Sequence, residues 1–287
     1  MTTLDHVGSC TGGNTIPLDD EGRTYHFGCK EGEVANHILI VSSYQLAEEI
    51  SKLFDKTEPV FRRESNRGYL TYTGLFKGKR ISVVGFGIGF AMIDFLLREL
   101  RRITKGPLEF IELGEATNID AELGEVIVIK DAVAAEIDYE NFSESDCPFH
   151  IFKNPVPANA ELVSDIDAKL KEANIKSKEG RALSCPSFCH GVSAPTLESG
   201  GVGCFDFKNK NLLSRVQEEA GPISSLEMDV YPLLWTSLRA TDKNIRSAAI
   251  SVTAATMDGK FMEDSAIINK MLELAPILMG ILSDKAN

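Results

Sequence analysis

A single α/β domain built on a mixed, largely parallel sheet is the fold this sequence predicts. Short, continuous apolar runs rich in β-branched residues recur at Ile38 to Val41, Ile81 to Val84, Leu108 to Leu113, Val126 to Ile129 and Ala248 to Val252. Such runs, lacking alternation, suit strands covered on both faces. Between them lie segments whose apolar residues fall three and four apart, the spacing of one helix face. One glycine-turned hairpin accounts for the antiparallel part of the sheet.

Taken in order, Leu46, Ile50, Leu53 and Phe54 make a helix face directly after the first strand. Tyr69 to Phe76 reads as a strand, and Lys77-Gly78-Lys79 turns it straight into Ile81, which is a hairpin. Phe90, Ile93, Leu96, Leu97, Leu100 and Ile103 form the next helix face. Arg98, Arg101 and Arg102 lie on that helix with Glu99 among them, and the group reads as a solvated face. Asp138 to Pro157, rich in Ser, Pro, Asp and Asn, reads as a surface excursion. A helix from Val230 to Leu238 opens at Asp229, and the last helix carries Ile267, Met271, Leu274, Leu278 and Ile281. Repeats and linkers are absent. Residues 1–24 are expected to form an N-terminal extension and residues 25–287 the domain.

Composition narrows the function. The 287 residues are 43% apolar and 25% charged, enough for a sizeable core. A net charge of −12 argues against nucleic-acid binding, which needs clustered Lys and Arg. The first 25 residues are polar, and the apolar stretch Ala275 to Leu282 is too short to span a bilayer, so no membrane partner is expected. Six cysteines in a chain of this size do not make a small disulfide framework, and a reducing, cytoplasmic compartment is the expectation. Cys185, Cys189, His190 and Cys204 fit no common zinc spacing, and no metal is expected. Gly87-Ile88-Gly89 lacks the third glycine of a dinucleotide fingerprint.

Three motifs stand in a fixed order along the chain: Tyr25-His26-Phe27-Gly28 before the first strand, then Arg67 with the hairpin and Gly87-Ile88-Gly89, then Leu226-Glu227-Met228-Asp229 before a helix. Between them come Leu113-Gly114 and Gly124-Glu125-Val126. This ordered set resembles the uridine phosphorylase branch of the nucleoside phosphorylase family over roughly residues 25 to 284. The resemblance implies the single-domain nucleoside phosphorylase scaffold, a central mixed sheet flanked by helices. It further implies cleavage of a nucleoside N-glycosidic bond by inorganic phosphate, through an oxocarbenium-like transition state and without a cofactor. Family sites form between subunits, so a homo-oligomer is implied, a dimer or a trimer of dimers.

Carried over position by position, the resemblance places His26, Glu227, Met228 and Asp229 at the ribose, and Arg67 and Gly87 at the phosphate. His26 and Arg67 are the pair that the family lends to a neighbouring subunit. Phe188 and His190 would face the base. Asp229 has a second reading, as the N-cap of the helix it opens, and both stay open.

The same alignment shows departures. Ser42-Ser43-Tyr44-Gln45-Leu46 stands where the family has Gly-Asp-Pro-x-Arg, and Leu46, in place of the arginine, falls on an apolar helix face. Glu112-Leu113-Gly114-Glu115 puts carboxylates where a cation and a hydroxyl are usual, and Val192 and Ala194 replace the base-binding Gln and Arg. A unit charge pair at about 4 Å and a dielectric of roughly 20 is worth about 4 kcal/mol. If a quarter of the swing from attraction to repulsion survives, phosphate affinity falls by more than about tenfold. Weak phosphate binding is therefore expected. Two alternatives follow: a nucleosidase whose water is held by a catalytic Glu115, with Glu112 second, or a silent subunit completing the site of an active paralogue in a mixed dimer.

Overall fold

The computed structural model describes residues 16–187, 208–241 and 244–286. Its strands are β1 (His37–Val41), β2 (Phe61–Glu64), β3 (Leu70–Phe76), β4 (Lys79–Gly85), β5 (Leu108–Asn118), β6 (Val126–Ile137), β7 (Phe149–Pro157), β8 (Ser177–Ser184), β9 (Ser225–Glu227) and β10 (Ile245–Thr256). Its helices are α1 (Tyr44–Ser51), α2 (Phe90–Ile103), α3 (Ala160–Glu172), α4 (Leu212–Ala220), α5 (Val230–Leu238) and α6 (Asp264–Lys285).

The strands form one sheet in the order β10-β6-β8-β9-β5-β1-β4-β3-β2. Because β10 also pairs with β5, the first five strands of that order close into a ring, and β1, β4, β3 and β2 extend from it as an open wing. Pairing is parallel for β1 with β4 and β5, β5 with β10, and β8 with β6 and β9. It is antiparallel for β2–β3, β3–β4, β5–β9, β6–β7 and β6–β10. The expected hairpin is β3–β4, turned by Lys77 and Gly78, both at positive φ.

The apolar runs behave as strands buried on both sides. Along β1, Leu39 and Val41 pack with α1 and α6, while Ile38 and Ile40 pack with α2. Residues of β5 divide in the same way, with Ile111 and Leu113 on one side and Leu108 and Phe110 on the other. Strand alternation thus feeds two helical layers, as period-two side-chain geometry requires.

Three expectations need correction. The segment Asp138 to Pro157 is only partly an excursion, since Phe149 to Pro157 is a strand on the outer side of β6. Pro155 and Pro157 fit there because an edge strand can spare ladder donors. The stretch Ala275 to Leu282 belongs to the 22-residue helix α6, which is long and apolar enough to cross a bilayer. Its Leu274, Leu278, Met279 and Leu282 are instead buried in the core against β1, β4 and β5. Finally, Glu99 is not part of a solvated face but only 2% exposed. It sits three residues after Leu96 and four before Ile103, on the apolar stripe of α2.

Candidate active site

A cleft of about 310 Å³ opens where several strands end. Ser42 follows β1, Ile88 follows β4, and Glu115, Ala116 and Thr117 come from β5. Leu226 to Asp229 bring in β9 and the start of α5, and Ala254 and Ala255 the end of β10. Phe261, Met262, Asp264 and Ile267 close the side nearest α6. The carboxyl ends of the parallel strands β1, β4, β5 and β10 all point here, the usual ligand position in open α/β sheets.

The turn after β4 and the start of α5 are joined by one contact. Gly87 and Gly89 hold φ of 82° and 102°, a region that side chains other than glycine rarely enter. This geometry aims the Gly89 N–H at Asp229, whose Oδ1 accepts it in a short hydrogen bond. The Asp229 side chain makes no capping bond to α5. Capping falls to Glu227: its Oε2 accepts from the N–H groups of Asp229 (2.5 Å) and Val230 (2.8 Å). Its Oε1 accepts from Ser184 Oγ, which in turn accepts from Tyr231 N at 2.8 Å. Asp229 thus stands at the N-cap position without a side-chain cap bond, and it lines the cleft.

Electrostatically the cleft is one-sided. Its lining holds Glu115, Glu227, Asp229 and Asp264, with no Lys, Arg or His among the described residues. Glu112, further back along β5, is buried, and its Oε2 has no partner among the described residues. Burial, then the charges of Asp229 and Glu227, hold its carboxyl well above the ordinary range. Burial and Glu227 push Asp229 from an ordinary 3.8 to about 7, against the Gly89 N–H, which favours its ionised form. Glu115 is also raised, by burial first and Asp264 second. Leu46 is a core residue, as its place on the apolar face implied. Tyr44 lies across the glycine turn, donating from its hydroxyl to Gly68 O at 2.8 Å; a Cβ added at Gly85 would stand 2.9 Å from its ring.

Of the residues singled out in the sequence, Glu115, Glu227, Met228 and Asp229 meet in the cleft, with Gly87 in the adjoining turn. His26 and Arg67 do not line it. They form their own group: Arg67 Nη2 donates to Tyr25 Oη at 2.6 Å and stacks over that ring. His26 stacks on Phe95 with ring centroids 3.8 Å apart. Glu99 of α2 holds His26 and Phe27 in this group. It accepts from His26 N at 3.1 Å and Phe27 N at 2.6 Å, and pairs with His26 Nδ1 at 2.6 Å. A charged residue on an apolar helix stripe was the signal for it. Phe188, His190, Val192 and Ala194 lie outside the described residues.

A profile of the phosphorylase superfamily matches residues 36–275, and the chain belongs to that superfamily. Within it the chain is uridine phosphorylase-like. It is 28% identical over 220 residues to a uridine phosphorylase of Thermococcus kodakarensis, covering 76% of this chain and 73% of that protein. A DeoD-type purine nucleoside phosphorylase of Clostridium perfringens is 31% identical over 163 residues, covering 57% and 66% respectively. In fold, the chain superposes with a TM-score of 0.84 on a structure from work on two uridine phosphorylases of Phytophthora capsici. That match spans 96% of this chain and 98% of the other at 21% identity.

Proposed function

We propose that this chain cleaves the N-glycosidic bond of a nucleoside in the cleft described above and transfers the pentose to phosphate. The observation that carries the reading is the Gly89–Asp229 lock, which presents a buried carboxyl to the cleft beside Met228. A carboxylate fixed by a backbone donor can accept from ribose hydroxyls without reorganising as positive charge develops on the sugar. In the reaction the C1′–N bond breaks and its electron pair goes to the base. A phosphate oxygen bonds to C1′, and the base takes up a proton. Glu115 lines the cleft, its carboxyl is held above the ordinary range by burial and Asp264, and it is the acid this reading assigns to protonate the departing base.

Phosphate binding on this chain alone is weak in this reading, because the cleft offers acids and no described cation. His26 and Arg67, preorganised on the Tyr25–Glu99 group away from the cleft, serve a neighbouring subunit, a second copy or a paralogue. Uridine titrated into the protein should give binding heat that Asp229→Ala abolishes. Binding of uridine undisturbed by Asp229→Ala would remove the ribose role. An Arg67→Ala variant should lose phosphate dependence only in the oligomer; equal loss in a monomer would contradict transfer to a neighbour.

A further inference from the structure

Helix α5 is apolar on two faces. Val230, Leu233 and Leu234 are buried, while Tyr231, Trp235 and Leu238, four and three residues apart, share a second face on which Trp235 and Leu238 stay exposed. Opposite that face runs β7. Its ladder with β6 breaks between Phe152 and Val156, so Lys153, Asn154 and Pro155 leave the register. Between the two elements lies a pocket of about 460 Å³ that shares no lining residue with the cleft.

This pocket inverts the chemistry of the cleft. Lys153 and Arg239 are the only charged residues lining it, and neither forms an ion pair among the described residues. In a chain of net charge −12, two unpaired cations on one pocket invite an anion. The rest of the wall is aromatic. The rings of Phe152 and Tyr231 have centroids 6.1 Å apart, and Arg239 Cζ stands 5.5 Å over the Trp235 ring. A guanidinium stacked on an indole keeps its N–H donors in its own plane, where anion oxygens can reach them. Tyr231 is fixed from behind, since its N–H donates to Ser184 Oγ, which donates to Glu227.

The occupant must use both the rings and the cations. Phosphate alone would leave the aromatic wall in water, and an uncharged ring would leave the cations unmet. A peptide added as a strand finds a poor edge, for the ladder is already broken and Pro155 has no N–H. A nucleic-acid strand needs a longer basic track than two cations in an acidic chain. The volume suits a small molecule larger than a simple anion. We infer that this pocket is a second ligand site that takes a nucleoside phosphate, its base against Trp235, Tyr231 and Phe152 and its phosphates on Lys153 and Arg239. Stacking of this kind accepts any base, so affinity follows the phosphate charge more than the base.

Trp235 is the chain's single tryptophan, so its emission reports on this pocket. Excited at wavelengths the bases do not absorb, Trp235 should be quenched saturably by ADP at millimolar concentration or below. Adenosine, by the same quenching, and inorganic phosphate, as a competitor of ADP, should each bind about tenfold or more weaker. Replacing Lys153→Ala and Arg239→Ala together, on an exposed surface, should lower ADP affinity about tenfold or more, and added salt should also lower it. Glu115→Gln, in the cleft, should leave ADP binding unchanged. Absence of quenching by ADP overturns the inference, as does quenching that survives the double substitution or that adenosine matches. ADP binding lost with Glu115→Gln and kept in the double variant would put the nucleotide in the cleft and overturn a second site.

Discussion

Replacing Asp229 with Asn should make the protein more stable at alkaline pH, and the structure sets the size of the gain. Asp229 is 8% exposed, and its carboxyl titrates at about 7 rather than 3.8. Below pH 3.8 both the folded and unfolded chains hold the proton, so the group contributes nothing. Between there and about pH 7 the unfolded chain has released the proton while the folded chain keeps it, so stability falls as pH rises. Above the folded pKa the whole penalty applies. The gap corresponds to roughly 4 kcal/mol, shared with Glu112 and Glu227, so the part removed by one substitution is about 2–4 kcal/mol. Asn keeps an oxygen to accept from Gly89 N–H, so the turn need not open. Urea unfolding of both proteins at pH 4.5, 6 and 8 measures the difference. It should be smallest at the lowest pH, about 0.5–1 kcal/mol, and grow to about 2–4 kcal/mol at the highest. A difference independent of pH, or a variant less stable at pH 8, would show that Asp229 is not a strained acid.

Other substitutions probe the scaffold around the site. Glu99→Ala leaves the N–H groups of His26 and Phe27 without their acceptor and should cost about 1–3 kcal/mol for each, measured by urea unfolding; Glu99→Gln should cost less. Gly180→Ala would place a Cβ 2.5 Å from Ser224 Cβ and 2.7 Å from Ile127 Cγ2, so thermal unfolding should report a loss of about 1–3 kcal/mol. Sulfate at millimolar concentration should leave the melting temperature unchanged, as expected for a cleft with acids and no described cation.

Much of the fold could be read from local pattern. The runs at Ile38, Ile81, Leu108 and Ala248 are strands because both their faces meet helices, and that demand is written in every residue of the run. The helix from Val230 to Leu238 is found at its expected bounds. What local pattern hides is pairing. β8 reads Ser-Lys-Glu-Gly-Arg at its start and lacks a continuous apolar run, yet it completes the ring between β6 and β9. β7 carries prolines that signal turns when neighbours are unknown.

The site was legible as residue types but not as a network. Met228, Asp229, Glu227 and Glu115 could be picked out by their motifs, and they do meet. That Glu227 rather than Asp229 caps α5 follows from where each oxygen lands, which no spacing rule states. The Gly89–Asp229 bond joins residues 140 positions apart and leaves no trace in either motif. Glu99 is hidden because it stands in sequence among Arg98, Arg101 and Arg102, whereas on the helix it lies between Leu96 and Ile103.

The most direct measurement is phosphorus NMR of uridine incubated with the protein and a high concentration of inorganic phosphate. A pentosyl transferase working in this cleft should produce the pentose 1-phosphate resonance, absent when phosphate is omitted and lost with Asp229→Ala. Free pentose at a rate indifferent to phosphate would contradict transfer to phosphate and assign the cleft to hydrolysis, with water activated at Glu115.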